Sequence, residues 1–226
     1  MSDNSSFHHS NEYDSQIRHT IPFYENFHTE AIEIIKCTVP NPSTWLDSGC
    51  GTGNLTELAL LFFPNTAFYL SDPSKGMLEQ AKAKLGKYQN IHFLEPMQTT
   101  QIPETYNEKH DIVTAIQSHH YLKVSDRNEV SRRCYDLLRK DGIFITFENT
   151  KPMTDKGIEI GKKHWKEFQI REGKTEEAAQ AQIARFNIEY FPITIEDHLR
   201  LYRSMGFRVV ELFWYSYMQS GYYCIK

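Results

Sequence analysis

The sequence predicts an α/β fold in which strands and helices alternate around a parallel sheet. Between residues 44 and 149, short apolar runs alternate with longer runs of helical period, which is the pattern of successive βαβ units. A glycine-rich turn, "GCGTG" at 49–53, joins the first such strand to the first helix, as it does at the ligand-binding edge of open α/β sheets. The length of 226 residues suits one domain covering the whole chain.

Each element between 44 and 149 follows from local pattern and punctuation. The strands are predicted at 44–47, 67–72, 91–96, 111–118 and 143–149. The helices between them are predicted at 54–63, 73–86 and 124–142. Gly86 and Gly142 stand where two of these helices stop, a position that favours glycine.

The flanking segments break the simple repeat. Residues 1–11 are predicted to be disordered, and 13–36, with apolar residues at helical spacing, form an N-terminal helical cap. Residues 151–192 are mostly helical and too long for an ordinary connection; a binding lid and a plain structural insertion are both open. A helix at 194–207 and a hairpin at 208–226, turning at "QSG", end the chain.

Composition excludes several classes of function. The net charge of −4 argues against a large basic footprint, so nucleic acid is not the expected partner. The N-terminus lacks the pattern of a signal peptide, and no window is apolar enough to span a membrane. The cysteines, Cys37, Cys50, Cys134 and Cys224, are far apart and predict reduced thiols in a cytoplasmic protein without a metal site.

The glycine loop predicts a nucleoside ligand without phosphate. Its spacing is G-x-G-x-G with Asn54 next, so the dinucleotide fingerprint G-x-G-x-x-G fails by one residue. Asp47, just before the loop, repels a pyrophosphate and suits a cation. Asp72, at the end of the next strand, is placed to accept hydrogen bonds from both hydroxyls of a ribose. S-adenosylmethionine (SAM) fits these requirements.

Four stretches together resemble the motifs of class I SAM-dependent methyltransferases: "LDSGCGTGNLTELA", "LSDPSKGMLEQAK", "DIVTAIQSHHYL" and "LLRKDGIFITFEN". The C-terminal "MGFRVVELFWYSYMQSGYYCIK" extends the resemblance to the end of the chain. The resemblance implies a Rossmann-like seven-stranded sheet in the order 3-2-1-4-5-7-6, with the last strand antiparallel and a helical insertion after the fifth. It also implies SAM as cofactor and S-adenosylhomocysteine as product.

The same resemblance implies a set of cofactor-binding residues. The glycine loop and the preceding Asp47 are expected beside the methionine part of SAM, and Asp72 at the end of the second strand is expected to bind the ribose. Met77 is expected to pack on the adenine, and Met97 or Gln98 is expected to contact the adenine amino group. The fourth strand's end is expected near the sulfur. The N-terminal segment resembles a subgroup in which a tyrosine or arginine folds over the cofactor. The expected residues are Tyr13, Arg18, Tyr24, Asp47, Gly49, Cys50, Gly51, Gly53, Asp72, Pro73, Met77, Met97, Gln98, Ala115, Gln117 and Ser118.

Methyl transfer needs alignment more than a catalytic side chain. A general base is required only if the acceptor loses a proton, and His119 is the candidate for it. The expected activity is methyl transfer to a small-molecule acceptor. The oligomeric state stays open, with a homodimer as the candidate. The "IPFY" segment and the final helix and hairpin also resemble carboxy-SAM synthases of a tRNA-modification pathway, which stays an alternative. A SAM-binding protein without activity is another.

Overall fold

The computed structural model describes residues 8–226. Within that range the chain forms one sheet and eight α-helices. The strands are β1 Thr44–Ser48, β2 Ala67–Ser71, β3 Ile91–Phe93, β4 His110–Ile116, β5 Leu138–Asn149, β6 Val209–Ser216 and β7 Gln219–Ile225. The helices are α1 Tyr13–Gln16, α2 Tyr24–Thr38, α3 Asn54–Ala59, α4 Lys75–Leu85, α5 Arg127–Leu137, α6 Asp155–Arg171, α7 Glu176–Ala184 and α8 Ile195–Ser204.

The strands of the described chain pair in the order β3-β2-β1-β4-β5-β7-β6. The pairs from β3 through β5 are parallel, whereas β7 runs antiparallel to both β5 and β6. The predicted fold class and strand order are therefore confirmed. Because the parallel strands point the same way, their carboxyl ends form one edge of the sheet, where open α/β folds bind ligands.

Alternating side chains along the strands divide the core between the two faces of the sheet. Trp45 and Phe68 belong to a cluster with Phe27 and Ile32 of α2. The neighbouring Leu46 belongs to a second cluster, in which residues of α5 and α8 also lie. Residues i and i+1 of a strand face opposite sides, so helices cover both faces and fix the position of the carboxyl edge between them.

The structure corrects two predicted boundaries. The helix expected to run to residue 142 ends at Leu137, because Leu138 already pairs with β4 and extends β5. The final turn is not at "QSG" but at residues 217–218, where Tyr217 has a φ of 54°. Gln219 instead opens β7 opposite Asn149. In both places pairing within the sheet overrides the local pattern.

The flanking segments lie against the body of the protein. Residues 1–7 of the segment predicted to be disordered lie outside the described residues; residue His8 is buried, and its Nε2 lies 2.7 Å from Thr20 Oγ1. In the long insertion, Trp165 of α6 is buried and its Nε1 donates to the carbonyl of Thr20 at 2.7 Å. The insertion and the N-terminal segment thus contact each other directly. No helix in the described range is long and apolar enough to cross a bilayer.

Buried histidines predict a loss of stability in acid. Burial is the first cause that lowers the pKa of His28 and His119 to about 4 and of His198 to about 3, from 6.5. These rings stay neutral in the folded protein, whereas the unfolded chain binds protons below pH 6.5. The free energy of unfolding is therefore highest above pH 6.5. It falls as the pH decreases toward 4, by up to about 1.4 kcal/mol per pH unit for each ring. Asp47, whose pKa burial raises to about 6, offsets part of this slope.

Urea unfolding followed by circular dichroism across this pH range measures that slope. A free energy of unfolding that stays constant from pH 6.5 to pH 4 contradicts the neutral buried rings.

Candidate active site

A cavity of about 470 Å³ lies at the carboxyl edge of the sheet. Its wall includes the residues that directly follow β1, β2 and β4, namely Gly49, Asp72 and Gln117. A smaller cavity of about 30 Å³ adjoins it, and Tyr13, Gly49 and Gly51 line both. The larger volume is within the range of small-molecule and cofactor sites, about 300–1,000 Å³.

The glycine loop has a backbone that other residues tolerate poorly. Gly49 and Gly53 have φ values of 75° and 81°, in the left-handed region that glycine adopts without steric cost. A Cβ on Gly53 would come within 2.7 Å of Leu85 Cδ1, and one on Gly49 would overlap the side chain of Ser118. The glycines therefore allow the loop to turn while α4 and the residues after β4 approach it closely.

The N–H groups of this loop are used within the protein. Gly49 and Cys50 both donate to the carbonyl of Ser71, at 2.7 and 3.0 Å. Gly51 donates to Asp72 Oδ2 at 2.9 Å, and Gly53 donates to the carbonyl of Cys50. A phosphate site at a helix N-terminus needs such groups to point at the ligand. The loop geometry thus agrees with a ligand that carries no phosphate.

The carboxylate of Asp72 links the glycine loop to α4. Its Oδ2 accepts from Gly51 N and its Oδ1 from Ser74 N at 2.8 Å. The N-cap of α4 is Ser74, whose hydroxyl accepts from Met77 N at 3.1 Å, so capping the helix is not the role of Asp72. The residue is buried yet lines the larger cavity, which leaves a fixed carboxylate facing a ligand.

Asp47 lies below the loop and faces the smaller cavity. Burial raises its pKa to about 6, against the opposing effect of its hydrogen bonds. Thr114 donates to Oδ1 at 2.7 Å and Thr56 to Oδ2 at 3.3 Å. Tyr24 lines the same small cavity, and burial raises its pKa to about 12. At pH 7 the wall of the smaller cavity therefore holds a mostly ionised Asp47 carboxylate and a neutral Tyr24 phenol.

The structure brings most of the predicted site residues together. Those lining the larger cavity are Tyr13, Gly49, Gly51, Asp72, Pro73, Met77, Gln98, Gln117, Ser118 and His119. Those lining the smaller one also include Tyr24, Asp47 and Cys50.

Four predicted residues line neither cavity. Gly53 contacts α4, Ala115 is buried within β4, and Met97 packs in the core while its neighbour Gln98 reaches the cavity. Arg18 lies at the surface, 60% exposed, with its guanidinium 3.1 Å from Glu25. Of these residues only Ala115 lies in a strand, where side chains alternate between the two faces of the sheet.

Further lining residues were not among the predicted cofactor contacts: Ser74, Thr99, Thr100, Ile116, Tyr121, Leu122, Asp126, Glu129 and Val130. Two of them, Asp126 and Glu129, add carboxylates. Among the described residues that line this cavity there is no lysine or arginine. For Thr99, Thr100, Tyr121 and Leu122 the available signal was their position after the ends of β3 and β4, because ligands contact the loops at the carboxyl edge.

A buried polar network holds the segment after β4. Glu148 Oε1 accepts from the backbone N–H of His119 at 3.2 Å, and Oε2 lies 3.1 Å from His120 Nδ1. Thr146 also donates to Oε1, at 2.9 Å. Although burial alone would raise it, the hydrogen bond from His120 and nearby positive charge hold the pKa of Glu148 at about 2. An ionised carboxylate therefore anchors this cavity wall from behind.

His119 is the predicted base, and the structure places it in the cavity wall. Its Nε2 is 3.4 Å from Thr99 Oγ1, and burial is the first cause that lowers its pKa to about 4. The ring is neutral at pH 7, so it offers one donor and one acceptor. Its low pKa makes it a weak base compared with one matched to pH 7.

Asp14 fastens α1 over the site. Its Oδ1 accepts from Thr52 Oγ1 at 2.6 Å and Asn54 Nδ2 at 2.9 Å, and its Oδ2 from Lys84 Nζ at 2.9 Å. The adjacent Tyr13 lines both cavities. We expect Asp14→Ala to raise the dissociation rate of SAM about fivefold, because charged hydrogen bonds that hold the cover are lost.

Stopped-flow tryptophan fluorescence measures this rate. Glu25→Ala is the matched control, since it removes the exposed ion pair with Arg18 in the same N-terminal segment. Equal rates in the two variants would show that Asp14 does not control release.

The residues present fit SAM. A buried carboxylate at the end of β2 suits a ribose, an apolar Met77 suits the adenine, and the internally bonded loop leaves no phosphate cradle. Among the described residues no group of three or more His, Cys, Asp or Glu is arranged to hold a metal ion.

The chain is similar in sequence to several known proteins. Residues 46–144 match the family model described as "Methyltransferase domain". The carboxy-S-adenosyl-L-methionine synthase of Trichodesmium erythraeum is 22% identical over 200 residues, which cover 88% of this chain and 79% of that protein. A malonyl-[acyl-carrier protein] O-methyltransferase of Ilyobacter polytropus is 33% identical over 108 residues, 46% of this chain and 38% of that protein.

A solved structure shows the same fold. The 1,6-didemethyltoxoflavin-N1-methyltransferase of Burkholderia thailandensis, with bound 1,6-didemethyltoxoflavin and S-adenosylhomocysteine, aligns with a TM-score of 0.62 at 13% identity, over 99% of this chain and 92% of that one. The chain spans 56–60% of several longer structures with this fold. The sheet order and the glycine loop are those of the class I SAM-dependent methyltransferase fold, and residues 46–144 match a methyltransferase domain.

Proposed function

We propose that the protein transfers a methyl group from SAM to a small acceptor that is neutral or cationic. The observation that carries this proposal is the lining of the larger cavity. It has the carboxylates of Asp72, Asp126 and Glu129 and, among its described lining residues, no lysine or arginine. A cationic cofactor is favoured in such a field, whereas an anionic acceptor is disfavoured by like charge.

In this proposal the protein's own residues bind, orient and enclose SAM and the acceptor. Asp72 is proposed to hold the ribose hydroxyls, Met77 to pack on the adenine, and the Gly49 turn to admit the methionine part. When bound, SAM supplies an activated methyl group, which the acceptor's electron pair takes from sulfur, so that S-adenosylhomocysteine is the other product. Tyr13 of α1 lines the cavity and is proposed to exclude water from it, which would strengthen each electrostatic contact with SAM.

His119 remains a prediction as the base. Its neutral ring faces the cavity and suits an acceptor that loses its proton late or is already a strong nucleophile. An amine or an enolate-like carbon or oxygen meets that condition. A kcat that is unchanged in His119→Asn, with SAM affinity retained, contradicts a role for this ring in proton transfer.

Carboxy-SAM synthesis is the second candidate. It is favoured by relatives of that name that align over most of the chain, as the protein of Trichodesmium erythraeum does. Against it stands the cavity lining, because none of its described residues is a lysine or arginine that could pair with the new carboxylate.

Mass analysis of the cofactor separates the candidates. The purified protein is first titrated with SAM in a calorimeter, and then incubated with SAM and a panel of amines, phenols and β-dicarbonyl compounds. Methyl transfer predicts S-adenosylhomocysteine and a methylated acceptor in equal amounts. Carboxy-SAM in the presence of a carboxylate donor supports the second candidate, and folded protein that fails to bind SAM overturns both. Light scattering of the same sample tests the homodimer prediction.

A further inference from the structure

Two buried amide groups at the carboxyl edge have unsatisfied hydrogen-bonding atoms. Asn149 at the end of β5 and Gln219 at the start of β7 are directly paired across the antiparallel ladder, so their side chains share one face of the sheet. Asn149 is 4% exposed and Gln219 is fully buried. Asn149 Oδ1 and Gln219 Nε2 have no hydrogen-bond partner in the described chain.

Gln117 connects this pair to the larger cavity. It follows β4, lines the cavity, and donates through Nε2 to Gln219 Oε1 at 2.9 Å. Its backbone has a φ of 54°, and its N–H donates to the carbonyl of Phe147 at 2.7 Å. The main chain of Gln117 is thus fixed by the sheet, while its side chain stands between the cavity and Gln219.

The unsatisfied atoms have a defined chemistry. A buried donor or acceptor without a partner costs about 1–3 kcal/mol, and such atoms in native proteins mark a ligand, an ordered water or a functional strain. Here one is an amide donor and the other an amide acceptor on adjacent strands. The hydrogen bond from Gln117 orients the Gln219 carboxamide so that its oxygen faces Gln117. The NH₂ group of Gln219 makes no hydrogen bond within the described chain.

We propose that Asn149 and Gln219 form an acceptor subsite that recognises a carbonyl oxygen beside an N–H or O–H, as in a lactam, a carboxamide or an enolised dicarbonyl. The ligand's carbonyl accepts from Gln219 Nε2 and its N–H or O–H donates to Asn149 Oδ1. Entry from the cavity requires the Gln117 side chain to swing aside and its carboxamide to be replaced. This subsite deepens the proposed methyl transfer and rests on it, because it fixes the orientation of a neutral acceptor.

The subsite has no charged member, which distinguishes it from the carboxylates on the outer cavity wall. Neutral hydrogen-bonding pairs give discrimination mainly by penalising ligands that leave a buried group unpaired. A ligand with the carbonyl but without the N–H is therefore expected to bind about tenfold more weakly.

Nuclear magnetic resonance of the full chain, labelled with ¹⁵N and saturated with S-adenosylhomocysteine, tests the proposal. The probe is 2-pyridone, and 1-methyl-2-pyridone is the matched probe without the N–H. The side-chain NH₂ signals of Gln219, assigned by their loss in Gln219→Met, are expected to shift in a saturable way with 2-pyridone. The methylated probe is expected to bind about tenfold more weakly.

Several outcomes overturn the subsite. One is equal affinity for the two probes, and another is unchanged affinity in Gln219→Met and Asn149→Leu variants shown to be folded by near-ultraviolet circular dichroism. A crystal structure with an ordered water between the two amides that stays in place at saturating 2-pyridone also overturns it. If S-adenosylhomocysteine itself fails to bind, the proposed function falls; if it binds and the probes do not discriminate, only the subsite does.

Discussion

Asp72→Ala is expected to weaken SAM binding by about tenfold to a hundredfold, since hydrogen bonds to a charged group contribute about 1.5–3 kcal/mol. The carboxylate is buried at the end of β2, faces the larger cavity, and has both oxygens fixed by Gly51 N and Ser74 N. It is therefore positioned before a ribose arrives, and little ordering is lost on binding. Calorimetric titration measures the affinity directly.

The control for this experiment separates charge from shape. Asp72→Asn keeps the size of the side chain, and we expect it to lose most of the affinity while keeping the fold. Asp126→Asn removes an exposed carboxylate from the same cavity, and its affinity for SAM should change less than threefold. An unchanged affinity in Asp72→Asn would remove the ribose contact from the site described above.

Glu148→Ala is expected to lower the free energy of unfolding by about 3–5 kcal/mol, the usual cost of removing one member of a buried, charged network. Glu148 is fully buried and accepts hydrogen bonds from His119 N–H, His120 Nδ1 and Thr146 Oγ1. The substitution leaves His119 N–H and His120 Nδ1 without this acceptor in the wall behind the cavity, whereas Thr146 Oγ1 keeps the carbonyl of Ala115. Urea unfolding at pH 7 gives the loss of stability.

The dependence on pH identifies the charge of Glu148 as the cause. Its folded pKa of about 2 is below the ordinary value of 4.5, so its contribution is present above pH 4.5 and is lost as pH falls toward 2. The difference between the wild type and Glu148→Gln should therefore be constant above about pH 5 and shrink below it. Glu211→Ala, an exposed change on β6, should stay within about 0.5 kcal/mol of the wild type at every pH.

The local sequence pattern was sufficient to predict the alternating strands and helices. The alternation between 44 and 149 predicted β1 to β5, the glycine spacing predicted the loop, and Asp72 was expected at the end of its strand. These features depend on periodicity and on backbone conformations that few residues tolerate, both of which are written in neighbouring residues. The order of the strands required the resemblance to a family, because pairing between distant strands has no local signal.

Tertiary structure alone decided the contacts that join distant segments. Side-chain hydrogen bonds join Glu148 to His120, Asp14 to Lys84, and Gln117 to Gln219. The partners are 28, 70 and 102 residues apart in the sequence. Such contacts depend on the register of strands and the rotation of helices, where a shift of one residue turns a side chain to the opposite face. The sequence by itself thus determined the alternation of strands and helices, the glycine loop and the position of Asp72 at the end of a strand. Only the packed fold decided which polar groups anchor the cavity wall and which buried amide atoms of the described chain have no hydrogen-bond partner, because both depend on which side chains are buried together.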